Sequence, residues 1–193
     1  VPVSGNTGLS GGTSANNSVM ISLERLNKIK KINVITQTVT VEAGVILSNL
    51  HEAVETHNLV FPLTFGAKGS VMIGGSLSTN AGGSNVLKYG STRTLCMGLE
   101  VVLPNGQIMN LMSELHKDNT GYALKDLFIG AEGTLGLITA AVLKLSPLPN
   151  AYATAMMAMG SIKAIELANK LKLTVLLITI KEDNNQIIKI NLP

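Results

Sequence analysis

The sequence predicts an α+β fold, and three observations carry that expectation. Some stretches alternate apolar and polar residues with period two, while others space apolar residues as a helix does. The two kinds do not follow one another as regular β-α-β units, and no segment repeats. The composition is that of a packed core, 46% hydrophobic and 14% charged. With three Tyr, three Phe and no Trp, the interior must be built from Val, Ile, Leu, Met and Ala. A length of 193 residues fits one domain, or one domain and part of another.

The elements follow in chain order. After an opening glycine loop, Val19 to Leu23 reads as a short strand, and "TVTVEAG" alternates as a second. "VILSNLHEAVETHN" has helical spacing, with Leu47, Leu50 and Val54 on one stripe. Ser70 to Gly90 is polar, glycine-rich and without period. "CMGLEVVLPNGQIMNL" reads as a hairpin turning at Asn105-Gly106, two residues that tolerate positive φ. "YALKDLFIG" fits a short helix, and "LGLITAAVLKLSPLP" a long strand ended by Pro147 and Pro149. A strand near Ala153 to Met159, a helix near Ile162 to Leu171 and a strand near Leu173 to Ile180 complete the chain.

Several function classes are disfavoured. The net charge is only +3, and Lys28, Lys30 and Lys31 have no interleaved aromatics, so nucleic acid is not an expected partner. Cys96 is alone, which excludes an internal disulfide and a cysteine zinc site. It lies in an apolar run and reads as a small buried hydrophobe. No signal peptide is evident, and "LTVLLITI" falls far short of the roughly 20 residues of a membrane helix. The expected location is cytoplasmic.

The 19 glycines are clustered. Four lie in "PVSGNTGLSGG" (Pro2 to Gly12), seven between Gly66 and Gly90, and a third group comprises Gly130, Gly133 and Gly136. Turns account for singles such as Gly44 or Gly160, but less well for clusters. Successive amides without Cβ atoms can instead close on an anion, which needs few lysines or arginines. Asn6, Thr7, Ser78, Thr79 and Asn80 add side-chain donors and acceptors. A turn-rich surface is the competing reading. A phosphate-binding one requires the opening segment and Ile73–Gly83 to share one hollow. No Gly-Lys-Ser/Thr occurs, and the G-x-x-G-x-x-G-G spacing is followed by poor helix sequence. Both familiar nucleotide loops are therefore disfavoured.

"PVSGNTGLSGG", "IGGSLSTNAGGSNVLKYGSTRTLCMGLEVVLPNG" and "KDNTGYALKDLFIGAEGTLGLIT" occur in that order. Together, over Val1 to Pro149, they resemble the FAD-linked oxidase family with the PCMH-type (vanillyl-alcohol-oxidase-like) flavin fold. The nearest branch resembles the D-2-hydroxyacid dehydrogenases acting on D-lactate, glycolate and D-2-hydroxyglutarate. The resemblance implies two α+β subdomains with FAD between them, and the removal of the α-hydrogen of a D-2-hydroxy acid, as hydride to the flavin. Gly5, Asn6, Thr7, Gly8 and Leu9 would wrap the pyrophosphate. Pro62, Gly69, Ser70, Ile73, Gly74, Gly75, Thr79, Asn80, Gly82 and Gly83 would line the pyrophosphate, ribityl chain and ring. Tyr89 falls at a flavin-proximal "YG", and Glu132, Gly133 and Ile138 match a motif on the adenosine side. Some relatives bind flavin covalently through a histidine in the first loop. Here that place reads Gly5-Asn6-Thr7, which implies non-covalent FAD.

The same resemblance implies a strand-helix segment before the first loop and a large cap domain after the flavin domain. The chain is therefore expected to be truncated at both ends, with a FAD-binding domain at 1–149 and, at 150–193, the start of a cap followed by a non-matching tail. The catalytic and metal-binding residues of the family lie in that cap, so no catalytic or metal residue is assigned. His51, His57 and His116 read as ordinary helix-edge or loop residues without ligand spacing. The alternative left open is a non-catalytic flavin-domain remnant, or a subunit that works with a second copy or partner chain.

Overall fold

Four successive buried residues, Ala140 to Leu143, mark the middle of the first of two structural units. The computed structural model describes residues 1–148, 161–170, 175–181 and 184–190. The units are Val1–Leu148 and Pro149–Pro193. In the first, chain order gives β1 (Pro2–Val3), β2 (Ile21–Ser22), β3 (Ile29–Asn33), β4 (Thr38–Glu42), α1 (Leu47–Glu55), β5 (Leu59–Val60) and α2 (Ile73–Ser78). There follow α3 (Val86–Tyr89), α4 (Thr92–Leu95), β6 (Cys96–Val102), β7 (Ile108–Leu111), α5 (Lys125–Phe128), β8 (Leu137–Lys144) and β9 (Ser146–Pro147).

β8 is central in a five-stranded sheet of order β3-β4-β8-β6-β7, all neighbours antiparallel. Its run of buried residues means both faces are covered. Leu47, Leu50 and Val54 of α1 are buried, as their spacing requires, and join one core with Val39, Val41, Phe61, Leu99 and Leu143. β6 and β7 form the expected hairpin. Of the Asn105-Gly106 pair only Gly106 takes positive φ, at 82°. The turn is a three-residue loop, Pro104 to Gly106, closed by Leu103 N–H donating to the Gln107 carbonyl at 2.8 Å.

The structure departs from the sequence reading at several points, and β3, β5 and α4 are elements that the sequence reading did not contain. Only Ile21–Ser22 of the expected Val19–Leu23 strand is extended pairing, and it runs parallel to β1. The aperiodic Ser70–Gly90 stretch contains α2 and α3. Two glycines hide α2 from a propensity reading, yet Ile73 and Leu77, four apart, are both fully buried. The long strand stops at Lys144, and Pro147 itself pairs with Leu59 in the separate two-stranded β5–β9 ribbon, where its missing N–H is tolerated. In the second unit, α6 (Ser161–Lys170) and β10 (Val175–Lys181) match the expected helix and strand, but β11 (Asn184–Ile190), antiparallel to β10, was not anticipated. The expected Ala153–Met159 strand lies outside the described residues.

Cys96 is buried, and burial pushes its thiol up from 9.0 to about 12. The folded chain keeps a proton that the unfolded chain releases above pH 9.0, so this contribution to stability is full below 9.0 and is lost as pH rises toward 12. At about pH 8 the native thiol is therefore expected to resist iodoacetamide, and to react once the chain is unfolded in urea. Mass spectrometry reads the difference, and rapid labelling of the native protein would contradict the burial.

Candidate functional site

Close approaches of backbone, admitted by glycine, bring the three clusters together. A Cβ on Gly5 would lie 2.0 Å from the Ser70 carbonyl oxygen, so the opening loop rests on the start of the second cluster. A Cβ on Gly74 would meet that of Ala43 at 2.8 Å, which seats α2 against the β4–α1 connection. Gly133, at φ 81°, faces Pro2, whose Cγ would lie 2.5 Å from a Cβ added there, which brings the third cluster to the base of the first. These segments enclose a hollow of about 360 Å³, within the size range of small-molecule sites.

The lining combines two chemistries. Leu23, Phe65 and Val71 give an apolar wall. The remainder is mostly glycine and hydroxyl residues, with Pro2, Ala81 and the Asn6 amide; among the described residues Glu132 is its only ionisable side chain, and no lysine or arginine takes part. The amides of Gly5, Asn6, Thr7 and Gly8 find no acceptor among the described residues. The Ser4 hydroxyl oxygen, also in the lining, is buried without a hydrogen-bond partner. Buried polar groups are ordinarily paired, which sets the Ser4 hydroxyl apart, while Asn6 and Gly8 are exposed. Free donors beside a glycine cradle and an apolar wall suit a ligand that is part diphosphate and part aromatic ring, so the residues present fit a flavin dinucleotide.

Left-handed backbone shapes each segment. Asn6 (φ 48°), Asn80 (φ 48°) and Glu132 (φ 52°) fall one in each cluster. Such a conformation costs a non-glycine residue roughly 1–2 kcal/mol. Asn17, Gln37 and Asn58 share it elsewhere in the chain, so positive φ by itself does not mark the site. Thr13 Oγ1 donates to Asn6 Oδ1 at 2.5 Å and ties the opening loop. Gly130 N–H donates to the Leu77 carbonyl at 3.0 Å and Glu132 N–H to that of Ser78 at 2.9 Å, which joins the third cluster to the end of α2.

Of the residues expected from sequence, Gly5, Asn6, Thr7, Gly8, Gly74, Gly75, Thr79, Gly83 and Glu132 line the hollow. The others do not. Ile73 and Ile138 point into the core, and Leu9 is fully exposed. The Pro62 carbonyl accepts from Asn85 Nδ2 at 3.0 Å, and Asn80 Oδ1 accepts from Arg93 N–H at 3.0 Å. Ser70 and Gly133 serve as packing surfaces for Gly5 and Pro2, Gly82 faces Val86, and Gly69 meets nothing nearby. Tyr89 packs against the core with the Lys88 ammonium 4.9 Å above its ring. Ser4, Thr13 and Phe65 line the hollow without having been singled out; the position of Ser4 directly before Gly5 is the signal that could have found it.

The histidines stand apart from this site. His51 Nε2 is 3.0 Å from the Phe61 carbonyl, so it carries the proton and links α1 to that segment. Burial holds its pKa below 6.5. His116 Nε2 contacts the Thr36 carbonyl at 2.7 Å. Among the described residues no group of three His, Cys, Asp or Glu could hold a metal, and no helix is long and apolar enough to cross a membrane.

Comparison with known proteins agrees with this geometry. A family profile described as "FAD binding domain" matches residues 1–112. The chain is 46% identical over 150 residues to a D-2-hydroxyglutarate dehydrogenase of Xanthomonas citri pv. viticola, covering 77% of this chain and 32% of that protein. It is 44% identical over 165 residues to the mitochondrial D-2-hydroxyglutarate dehydrogenase of Danio rerio, covering 85% and 31%. It is 42% identical over 152 residues to a D-2-hydroxyglutarate–pyruvate transhydrogenase of Saccharomyces cerevisiae, covering 78% and 31%. The chain thus spans about a third of the length of these curated relatives. Among solved structures, alkyldihydroxyacetonephosphate synthase superposes with a TM-score of 0.67 at 22% identity, covering 87% of this chain and 32% of that one, a likeness of fold alone. With its α+β architecture of PCMH type and a hollow whose residues suit a flavin dinucleotide, the chain belongs to the FAD-binding-domain family, with FAD as its cofactor.

Proposed function

We propose that this chain is the FAD-holding part of an oxidoreductase that oxidises a D-2-hydroxy acid to the 2-oxo acid. The observation that carries the reading is the single hollow shared by three glycine clusters, with unpaired amides at Gly5 to Gly8. Those amides hold the diphosphate, and Gly74, Gly75 and Gly83 let it approach the backbone. The Glu132 carboxylate is an acceptor for hydroxyl groups on the adenosine side. Residues behind the wall, such as Ile73, Asn80 and Ile138, hold the lining in place. Among the described residues no His, Cys or Tyr lines the hollow, which supports a non-covalent cofactor. Bound FAD supplies the redox chemistry, and the chain binds and orients it.

The small-molecule substrate class comes from the relatives, whose names include D-2-hydroxyglutarate dehydrogenase. The proposal retains a second copy or partner chain as assembly partner, to be read by light scattering. It also retains a cytoplasmic location, against the mitochondrial one carried in the Danio rerio and Bos taurus names, to be read by cell fractionation. The purified chain is expected to carry flavin near one per chain, released intact by acid. A folded chain that takes up no added FAD would overturn the reading. Anaerobic bleaching by D-2-hydroxyglutarate or D-lactate would locate oxidation in this chain, whereas bound but unreduced flavin would confine it to holding the cofactor.

A further inference from the structure

Ser4 follows directly on β1 and lines the hollow, and its hydroxyl has no partner in the protein. Among the described residues it is the one buried side-chain nitrogen or oxygen left in that condition. Three other hydroxyls of the same lining are engaged, whereas those of Thr7, Ser10 and Ser78 are not buried. Thr79 Oγ1 donates to the Gly75 carbonyl at 2.9 Å, Ser76 Oγ to that of Met72 at 3.3 Å, and Thr13 Oγ1 to Asn6 Oδ1. A buried hydroxyl without a partner destabilises the free protein, and alanine would avoid that cost. α2 nonetheless leaves room for it, since a Cβ on Gly75 would stand 2.9 Å from Ser4 Oγ and 3.3 Å from Ser4 Cβ.

The neighbourhood decides what the hydroxyl faces. The adjoining amides of Gly5 to Gly8 are donors without acceptors, so the matching ligand group is rich in acceptors. Among the described residues the lining holds no lysine or arginine, so each neutral donor contributes in proportion more to holding an anion. Ser4 Oγ makes no hydrogen bond in the protein, so a turn about χ1 toward a bound ligand would break none. We infer that Ser4 is a binding residue for the FAD diphosphate, its hydroxyl donating to an anionic phosphate oxygen. This rests on the proposal that the hollow holds that diphosphate.

The test compares the wild-type chain with Ser4→Ala, using FAD and ADP as probes. Flavin fluorescence quenching and calorimetry give the affinities, and thermal unfolding of the ligand-free proteins gives stability. Ser4→Ala is expected to bind both FAD and ADP about tenfold more weakly, with a melting temperature equal to or above that of the wild type. Equal affinities in the two proteins would overturn the inference. So would a loss for FAD without a loss for ADP, which would place the hydroxyl away from the diphosphate. A lower melting temperature in the ligand-free variant would show a structural role and overturn it as well. A wild-type chain that binds neither probe would instead overturn the FAD reading itself, and this inference with it.

Discussion

Gly5→Ala is expected to collapse the cofactor site. The added Cβ would lie 2.0 Å from the Ser70 carbonyl oxygen, 3.0 Å from its carbon and 3.1 Å from the Val71 Cα. All three are backbone atoms, so no side-chain rotation relieves the contact. The opening loop must lift from the second cluster, and overpacking of this kind costs about 3 kcal/mol. The same movement separates the free amides from the opposite wall, so FAD affinity should fall by about two orders of magnitude. Urea unfolding and flavin titration measure the two effects. Gly8→Ala is the control: a Cβ there meets nothing within 4 Å, and unfolding should match the wild type. Wild-type stability and affinity in Gly5→Ala would refute the seating of the two loops on one another.

Arg93→Met should loosen the third cluster. Arg93 reaches three acceptors on two segments: its amide donates to Asn80 Oδ1, and its guanidinium donates to the carbonyls of Asp126 and Ile129. Thr92 beside it is fully buried, with its hydroxyl and its amide both on the Ala81 carbonyl. Together with the Gly130–Leu77 and Glu132–Ser78 bonds, this closes a ring of hydrogen bonds around the end of α2. The Asp126 carboxylate pairs with Lys125 at 2.9 Å, so the guanidinium acts here on backbone carbonyls. Methionine would leave two carbonyls unpaired, a loss of about 2–4 kcal/mol in urea unfolding. Glu132 would then be held less firmly, and FAD affinity should drop about tenfold. Arg93→Lys should recover only part of both, because an ammonium cannot reproduce the planar two-point donation. An Arg93→Met protein as stable as the wild type would remove the ring from the account.

Much of the fold was legible because it is local. The spacing of Leu47, Leu50 and Val54 requires one buried stripe whatever the helix packs against. Asn105-Gly106 marks a turn because Gly106 takes a backbone conformation that few residues adopt cheaply. Where distant partners decide, the reading failed. α2 is helical despite Gly74 and Gly75 because Ile73 and Leu77 are buried together and Gly74 must pass Ala43. β1 and β2 pair parallel across a long loop, which no periodicity announces.

The amino-acid order alone determined that glycines cluster, that the chain spends little charge there, and hence that an anion could be held by backbone. Only the tertiary structure decided what each glycine makes room for. Gly5 admits the Ser70 carbonyl, Gly133 admits Pro2, and Gly8 stands beside open space. A missing Cβ reads the same in sequence whether protein or ligand fills the gap. The atoms that fill it belong to segments far along the chain, brought there by packing that no local pattern encodes.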